Sequence, residues 1–389
     1  MEIEIRSLDT VVKDHFAKGG ENADLPANLK FIKHGEIGFH FNPDTLIGGD
    51  ELNDEALGRI RRGEVSASGI PTVICEFSNV HVLGRSGLII DLENRTIWKG
   101  CLMNWSSAFA PTVRRFADLE RGTTSLDIDA ADLQVETRAP EAVLLGGPGF
   151  HIYGHWLVDY LPRLNRAVEH GHGGMPMFFH TVPGWASRLA ALVAPAFEAQ
   201  SPFENNKVAF FERLIVPTSI RAHGLLEENE ARHLWQTLDK QLAKQDTGPA
   251  DAGIGDKIYV SRRKWKKPNG TRFLKNAAAV EALFERAGFS VISPETLPLP
   301  MQRHIFSKAR VVAGEDGSGM HNTIFSKPGT RIGVISMGRV NSLHLNTANL
   351  LGQHITYIPS QPVDPEEESP EVFRVTQKAV KDALEVLLG

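Results

Sequence analysis

The sequence predicts an α/β protein of two Rossmann-like lobes, with a β-rich segment in the first lobe and a C-terminal helix packing back. Three observations predict it. Strand-length apolar runs alternate with helix-length runs from about residue 142 to residue 336, the pattern of a mostly parallel sheet covered on both faces. The Gly-, Pro-, Ala- and Asp-rich stretch 244–256 interrupts that alternation and reads as a linker. The chain has 389 residues, long for one compact core and comfortable for two.

Residues 1–65 are mixed and polar. From Pro71 the runs TVICEFSNVHVLG and GLIIDLENRTIWKG suit a meander of strands, and a polar stretch extends to about Pro140. Ala142–Leu145 then reads as a buried strand and Gly146–Gly149 as its turn. A helix from about His151 to His170 follows, with Pro162 kinking or dividing it. MPMFFH, ASRLAALVAPAF, ERLIVP and EENEARHLWQTLDKQLA continue as strand, helix, strand and helix. This N-terminal, acceptor-side lobe is expected to span 1–245.

A second lobe is expected over 255–365. KIYVS, FSVIS, RVVAG and TRIGVIS are its strands; NAAAVEALFERAG, PMQRHIFSKA and MHNTIFSKPG are its helices. A last helix is expected over 369–388, capped by Ser369, with Pro370 at its first position and Glu371 at the positive end of its dipole.

A formal net charge of −5 argues against a nucleic-acid partner. Two cysteines, Cys75 and Cys101, are too few for a disulfide framework or a thiolate cage. A reduced cytoplasmic setting is the default expectation. The start shows no basic segment followed by an apolar one, and no run of about 18 apolar residues offers a transmembrane span. Membrane contact, if any, would be peripheral.

The stretch RVVAGEDGSGMHNTIFSKPGT, residues 310–330, leads a strand into a glycine-rich turn and then a helix. Glycine lets backbone approach a ligand, and a helix N-terminus offers N–H groups to phosphate. The plainer reading is a tight turn that needs glycine for its dihedrals. A concentrated basic segment follows KIYVS: Arg262, Arg263, Lys264, Lys266 and Lys267, then Arg272 and Lys275. At the carboxyl end of a parallel strand it would face the ligand crevice, where arginine forks match a diphosphate. The three lysines read more simply as a solvated loop.

The run from YVSRRK to SKPGT closely resembles glycosyltransferase family 61. That family shows Ser-Arg after a strand, Arg and Asn before a helix, a Gly-Phe…Pro-Glu…Gln stretch, and a Gly-x-His-Gly-Ala-Gly-Leu-x-Asn…Phe…Pro-Gly signature. These correspond to Ser261-Arg262, Arg272, Asn276, Gly288-Phe289, Pro294-Glu295, Gln302, Gly317–Gly319, Asn322, Phe325 and Pro328-Gly329. Asp316 stands where the family has His, Ser318 where it has Ala, and no Glu follows Asn276. FSNVHVLGRSGLIIDLENRTI and HIYGHWLVDYLPRL resemble upstream family segments more weakly.

His151, His155 and Asp159 are spaced to share one helix face. Three readings stay open. A metal could use the two histidines with ligands from elsewhere, but the full set would span about 12 Å of helix. A structural histidine could bond Asp159. A catalytic His155 could take a proton from an acceptor hydroxyl while Asp159 fixes its tautomer. Arg163 is expected to face the cleft, His321 to touch the nucleotide or lie at the surface, and His170 and His172 to complement a helix end. Trp98, Trp105 and Trp156 are either core or a sugar platform. No Asp-x-Asp pair stands in a suitable strand-to-loop setting: LDIDAADL at 126–133 contains the letters but lies outside the sheet pattern.

The resemblance implies a GT-B arrangement with the active site between the lobes and an inverting, metal-independent transfer. The donor would be a nucleotide diphosphate sugar, taken as UDP-linked, with no cofactor. Arg262, Arg263, Arg272, Asp316, Gly317, Ser318, Gly319 and Asn322 would bind it; His155 and Asp159 would be catalytic. The acceptor would be a glycan, polysaccharide or lipid-linked hydroxyl, with capsular or other surface polysaccharide suggested by bacterial members. A nucleotide-sugar epimerase or hydrolase, or a non-catalytic nucleotide-sugar or glycan-binding protein, are the alternatives; Asp316 is the main reason for the last.

Overall fold

The computed structural model describes residues 2–20, 25–38, 41–48, 58, 70–83, 87–99, 124–127, 133–147, 149–179, 182–195, 199–200, 208–222, 224–245, 253–265, 273–337, 340–364 and 372–389. Cys101, Trp105, Lys266, Lys267, Arg272, Ser369 and Pro370 lie outside them. The fold is α/β. The chain divides into unit 1, Met1–Gly38 with Ala67–Ala222, and unit 2, Phe39–Ser66 with His223–Gly389.

Unit 1 contains strands β1 (Glu2–Ser7), β2 (Leu29–Ile37), β3 (Ile70–Leu83), β4 (Leu88–Asp91), β5 (Thr96–Lys99), β6 (Ser125–Asp127), β7 (Val135–Leu144), β8 (Met177–Phe178), β9 (Ala199–Gln200), β10 (Val208–Pro217) and β11 (Arg221–Ala222). The first ten form one sheet in the order β6-β1-β5-β4-β3-β10-β7-β8-β9, with β2 also on β3. It is mixed. The pairs β10–β7, β7–β8 and β8–β9 are parallel, whereas β3 pairs antiparallel with β2, β4 and β10.

Strands β3–β5 are the β-rich meander expected near 70–100; the departure from a separate Rossmann-like layer is that β3 also pairs antiparallel with β10, so the meander and the parallel strands share one sheet. Between β4 and β5, Asp91 Oδ1 accepts from the Asn94 N–H at 3.0 Å, and Arg95 takes φ 49°, so the chain reverses within a few residues. A reversal that tight makes antiparallel neighbours; a parallel pair would need a long crossover. Strand β7 also starts at Val135, ahead of the expected 142. Along β3, Val73, Cys75 and Phe77 alternate onto one buried face, where Trp98, Phe211, Leu214 and Val216 meet them.

Helices α1 (Leu8–Ala17), α2 (Leu161–Glu169) and α3 (Gly184–Val193) complete the regular part of unit 1. Before α2 come an α turn, Tyr153–His155, and a π turn, Trp156–Tyr160. Pro162 has no N–H to donate, and the chain widens just before it instead of kinking within an α-helix.

Unit 2 contains β12 (Leu225–Leu226), β13 (Lys257–Val260), β14 (Phe273–Leu274), β15 (Ser290–Ile292), β16 (Val311–Glu315), β17 (Arg331–Ile335), β18 (His354–Ile358), β19 (Gln361–Pro362) and β20 (Val372–Arg374). Its helices are α4 (Glu228–Lys244), α5 (Ala277–Arg286), α6 (Leu299–Lys308), α7 (Ser342–Leu350) and α8 (Gln377–Leu388). The main sheet is parallel throughout, in the order β15-β13-β16-β17-β18. Counted along the chain this is 2-1-3-4-5, a doubly wound order that reverses between β13 and β16. Tyr259, Phe284, Phe289, Ala313, Ile335, Val380 and Leu387 share its core.

The unit boundary differs from the expected one near 245. Helix α4 belongs to unit 2 because Arg303 on α6 grips its Asp239 with both Nε and Nη2, at 2.7 and 3.1 Å. Part of 39–66 joins unit 2 as well: Leu46 bridges Ile355, and the Asn42 N–H reaches Asn349 Oδ1 at 2.8 Å. The last helix starts late. Val372–Arg374 is a strand, with Phe273–Leu274 as parallel partner, and Thr376 caps α8 by accepting from the Ala379 N–H at 3.1 Å. Among the described residues no helix is long and apolar enough to cross a membrane.

Candidate functional site

In unit 1 the chemistry gathers at the Tyr153–Tyr160 helical segment. His155 Nδ1 lies 2.6 Å from Asp159 Oδ2, one turn on. Arg221, from β11, donates to the same carboxylate in a fork: Nε to Oδ1 at 2.8 Å and Nη2 to Oδ2 at 3.1 Å. The Asp159 side chain is 1% exposed and that of His155 18% exposed. Burial alone would raise the Asp159 carboxyl; Arg221 and His155 together outweigh it and hold the pKa below its ordinary value. A carboxylate on Nδ1 fixes the tautomer that carries its proton there, so Nε2 is the basic atom. Gly149, at φ 81°, lies so close that a Cβ there would sit 2.9 Å from His155 Cδ2. Glycine thus supplies both the positive φ and the room for the ring.

Several expectations for this region change. His151 lies before the helical segment and is exposed, so it does not share a helix face with His155 and Asp159. Among the described residues, no group of three or more His, Cys, Asp or Glu side chains has a metal-holding arrangement. Arg163 does not face a cleft: it is fully buried and donates to the carbonyls of Leu144, Leu145 and Pro217. Arg166, also fully buried, does the same for Val73 and Thr218. These guanidiniums satisfy carbonyls where β3, β7 and β10 meet the helix. Trp98 and Trp156 are core, 0% and 2% exposed. His170 caps α2, and its Nε2 is 2.7 Å from His34 Nδ1.

In unit 2 two loops meet at the carboxyl ends of β13 and β16, where the strand order reverses. Ser261–Trp265 leaves β13, and Asp316–Gly319 leaves β16. Glycine at 314 is a packing requirement, because a Cβ would lie 2.7 Å from Val260 Cβ. A 3-10 helix, Ser318–Phe325, follows the turn and starts earlier than the helix expected at Met320. Gly317, Ser318 and Gly319 are the partly exposed residues of the turn; Glu315, Asp316 and Met320 on either side are buried.

Arg262 lies across this turn. Its Nη1 donates to the Asp316 carbonyl at 2.8 Å, and a Cβ on Gly317 would approach its Cζ to 3.2 Å. The Trp265 ring stacks at 5.3 Å from the guanidinium carbon, and Trp265 is 43% exposed. Arg263 is exposed and pairs with Glu281 Oε2 at 3.2 Å. Ser261 Oγ donates to Glu281 Oε1 at 2.5 Å, and the Arg262 N–H donates to Glu315 Oε1 at 3.2 Å. Burial pushes the Glu315 carboxyl above its ordinary pKa, only partly opposed by Arg262.

Asn322 does not line the accessible edge. It is fully buried and donates to Gln302 Oε1 at 2.9 Å, bracing the turn from beneath. His321 is 7% exposed, so it is not a surface residue. Asp316 is 3% exposed and turned to α7: its Oδ1 accepts from Asn341 Nδ2 at 3.0 Å and lies 3.1 Å from His344 Nε2. Sequence reasoning missed Arg221, Trp265, Glu281, Glu315, Asn341 and His344. Of these only Trp265, beside the arginines, and Glu315, beside the glycine turn, carried a local signal.

Residues 153–333 match the family model described as Glycosyltransferase 61. The match opens beside His155 and closes in β17, so it takes in the Asp159 helix, the Arg262 loop and the glycine turn. No curated protein matches the chain.

Proposed function

We propose, from the match of residues 153–333 to the Glycosyltransferase 61 model, that the chain is an inverting, metal-independent glycosyltransferase using a nucleotide diphosphate sugar. The observation that carries the donor reading is the meeting of Arg262 and the Gly317–Gly319 edge at the reversal point of the unit 2 sheet. Open parallel sheets bind ligands outside the carboxyl ends of their strands at such a point. The partly exposed backbone there can approach a diphosphate, while Arg262 and Arg263 bring the opposite charge. Trp265 offers a flat face for the nucleoside base.

The acceptor is a hydroxyl of a glycan, polysaccharide or lipid-linked sugar, served by unit 1. His155 Nε2 takes the hydroxyl proton as the acceptor oxygen forms its bond to the anomeric carbon. The bond from that carbon to the diphosphate oxygen breaks, and its electron pair leaves with the nucleoside diphosphate. Attack opposite the leaving group inverts the anomeric configuration. Asp159, ionised and gripped by Arg221, stabilises the imidazolium that forms.

Calorimetric titration with UDP, and then with GDP, CDP, ADP and TDP, tests the donor reading. The wild type is expected to bind one of them, and Arg262→Ala to weaken that binding by about ten-fold or more, the worth of a charge-assisted contact. Equal affinity in the two proteins would remove Arg262 from the donor site.

A further inference from the structure

Asp316 poses an electrostatic problem. It opens the turn at which the reading above places a diphosphate, and a carboxylate there repels the ligand unless its charge is compensated. The structure shows where that side chain goes. The side chain is 3% exposed and points to the N-terminus of α7. Asn341, the N-cap residue of α7, uses both ends of its amide: Oδ1 accepts from the Leu343 N–H at 3.2 Å, and Nδ2 donates to Asp316 Oδ1 at 3.0 Å. His344, in the first turn of α7 and 3% exposed, brings Nε2 to 3.1 Å from the same oxygen. The His321 ring packs against His344 at 4.7 Å between centroids. The helix N-terminus adds its own positive end of the dipole. Meanwhile the carbonyl of Asp316 receives Arg262 Nη1 at 2.8 Å. One residue therefore ties its carboxylate to α7 and its backbone to the arginine.

We propose that His344 is a positioning residue of the donor site: through its ring N–H it holds the Asp316 carboxylate against α7 and away from the turn, so that the turn accepts a nucleoside diphosphate. This rests on the donor reading given above. His344 acts through Asp316 and needs no contact with the ligand. The consequence is selective, because a carboxylate released toward the turn opposes a charged diphosphate and is indifferent to a neutral nucleoside.

The test is a double-mutant cycle read on two probes: the nucleoside diphosphate that binds the wild type, out of UDP, GDP, CDP, ADP and TDP, and its matching nucleoside. His344→Ala is expected to weaken the diphosphate by about ten-fold and leave the nucleoside nearly unchanged. Removing the stranded charge, in Asp316→Asn/His344→Ala, is expected to restore most of the diphosphate affinity. His344→Gln, which keeps an N–H donor, should lie close to the wild type. The readout is the ratio of the two affinities, which a partly unfolded sample lowers equally on both sides. Parallel loss of both probes, or failure of Asp316→Asn to restore binding, overturns the proposal in favour of a packing role for His344. A wild type that binds none of the five diphosphates overturns the donor reading itself, a different outcome from a wild type that binds and variants that match it.

Discussion

Two buried carboxylates, Asp159 in unit 1 and Glu315 in unit 2, meet opposite surroundings. Burial raises the pKa of each. Asp159 also receives a forked arginine and an imidazole, so its pKa falls below the ordinary value. Glu315 accepts the Arg262 backbone N–H and lies near a second acid, Glu281, so burial wins and its pKa rises. Burial therefore does not decide the sign; a full opposite charge at hydrogen-bond distance does. The difference suits two tasks: in the proposed mechanism Asp159 supports a histidine that gains a proton, whereas Glu315 anchors a loop by accepting the Arg262 N–H.

The largest expected effect is at the histidine. His155→Ala should lower turnover by about 10²–10⁴-fold, the usual worth of a general base, with nucleotide affinity nearly unchanged. An active variant would shift the base to another group. Next, Arg221→Ala strands Asp159 without its main cation. Such a loss in a buried pair costs on the order of 3–5 kcal/mol, and chemical denaturation should show most of it. A loss below about 1 kcal/mol, the level of a surface pair, would mean that Asp159 is held by His155 alone.

Trp265→Ala should weaken the bound nucleoside diphosphate by about ten-fold, the scale of base stacking on an aromatic ring, and leave pyrophosphate binding as it was. Loss of both would point to Arg262 losing its support rather than to stacking. The smallest effect is at Glu315. A carboxyl whose folded pKa is raised above its unfolded value contributes stability that is fully present below the unfolded pKa and is lost as pH rises through the folded one. Glu315→Gln should remove that loss and still accept the Arg262 N–H. Its melting temperature relative to the wild type should therefore climb as pH rises past the ordinary glutamate value of 4.5. A falling difference would reverse the assigned sign. Asp159 has the opposite dependence: its contribution is present above the ordinary aspartate value of 3.8 and is lost as pH falls through its folded pKa.

Unit 2 was readable because each of its strands is a short apolar run between turn residues, and parallel sheets buried on both faces write that pattern plainly. Unit 1 was less so. Its meander could be read from the runs after Pro71, but the antiparallel pairing of β3 with β10, which joins the meander to the parallel strands in one sheet, links residues too far apart in sequence to leave a local signal. The start of α8 was misplaced because Ser369-Pro370 has the letters of a helix start, whereas the residue that caps is Thr376. The His155–Asp159 pair could be read from its spacing, since both partners lie on one helical segment. Arg221 could not, being 62 residues from Asp159 in sequence, nor could His344, 28 residues from Asp316. Long-range partners of this kind leave no periodic trace.

Thermal unfolding against UDP, GDP, CDP, ADP and TDP, each with and without EDTA, tests the proposed donor site most directly. A ligand at about 100 times its Kd adds roughly 2.7 kcal/mol to the folded state, a plainly visible rise in midpoint. The expected result is stabilisation by one diphosphate, unaffected by EDTA. A midpoint unmoved by all five, or a rise that EDTA abolishes, would contradict a metal-independent diphosphate site at the Arg262 loop and the glycine turn.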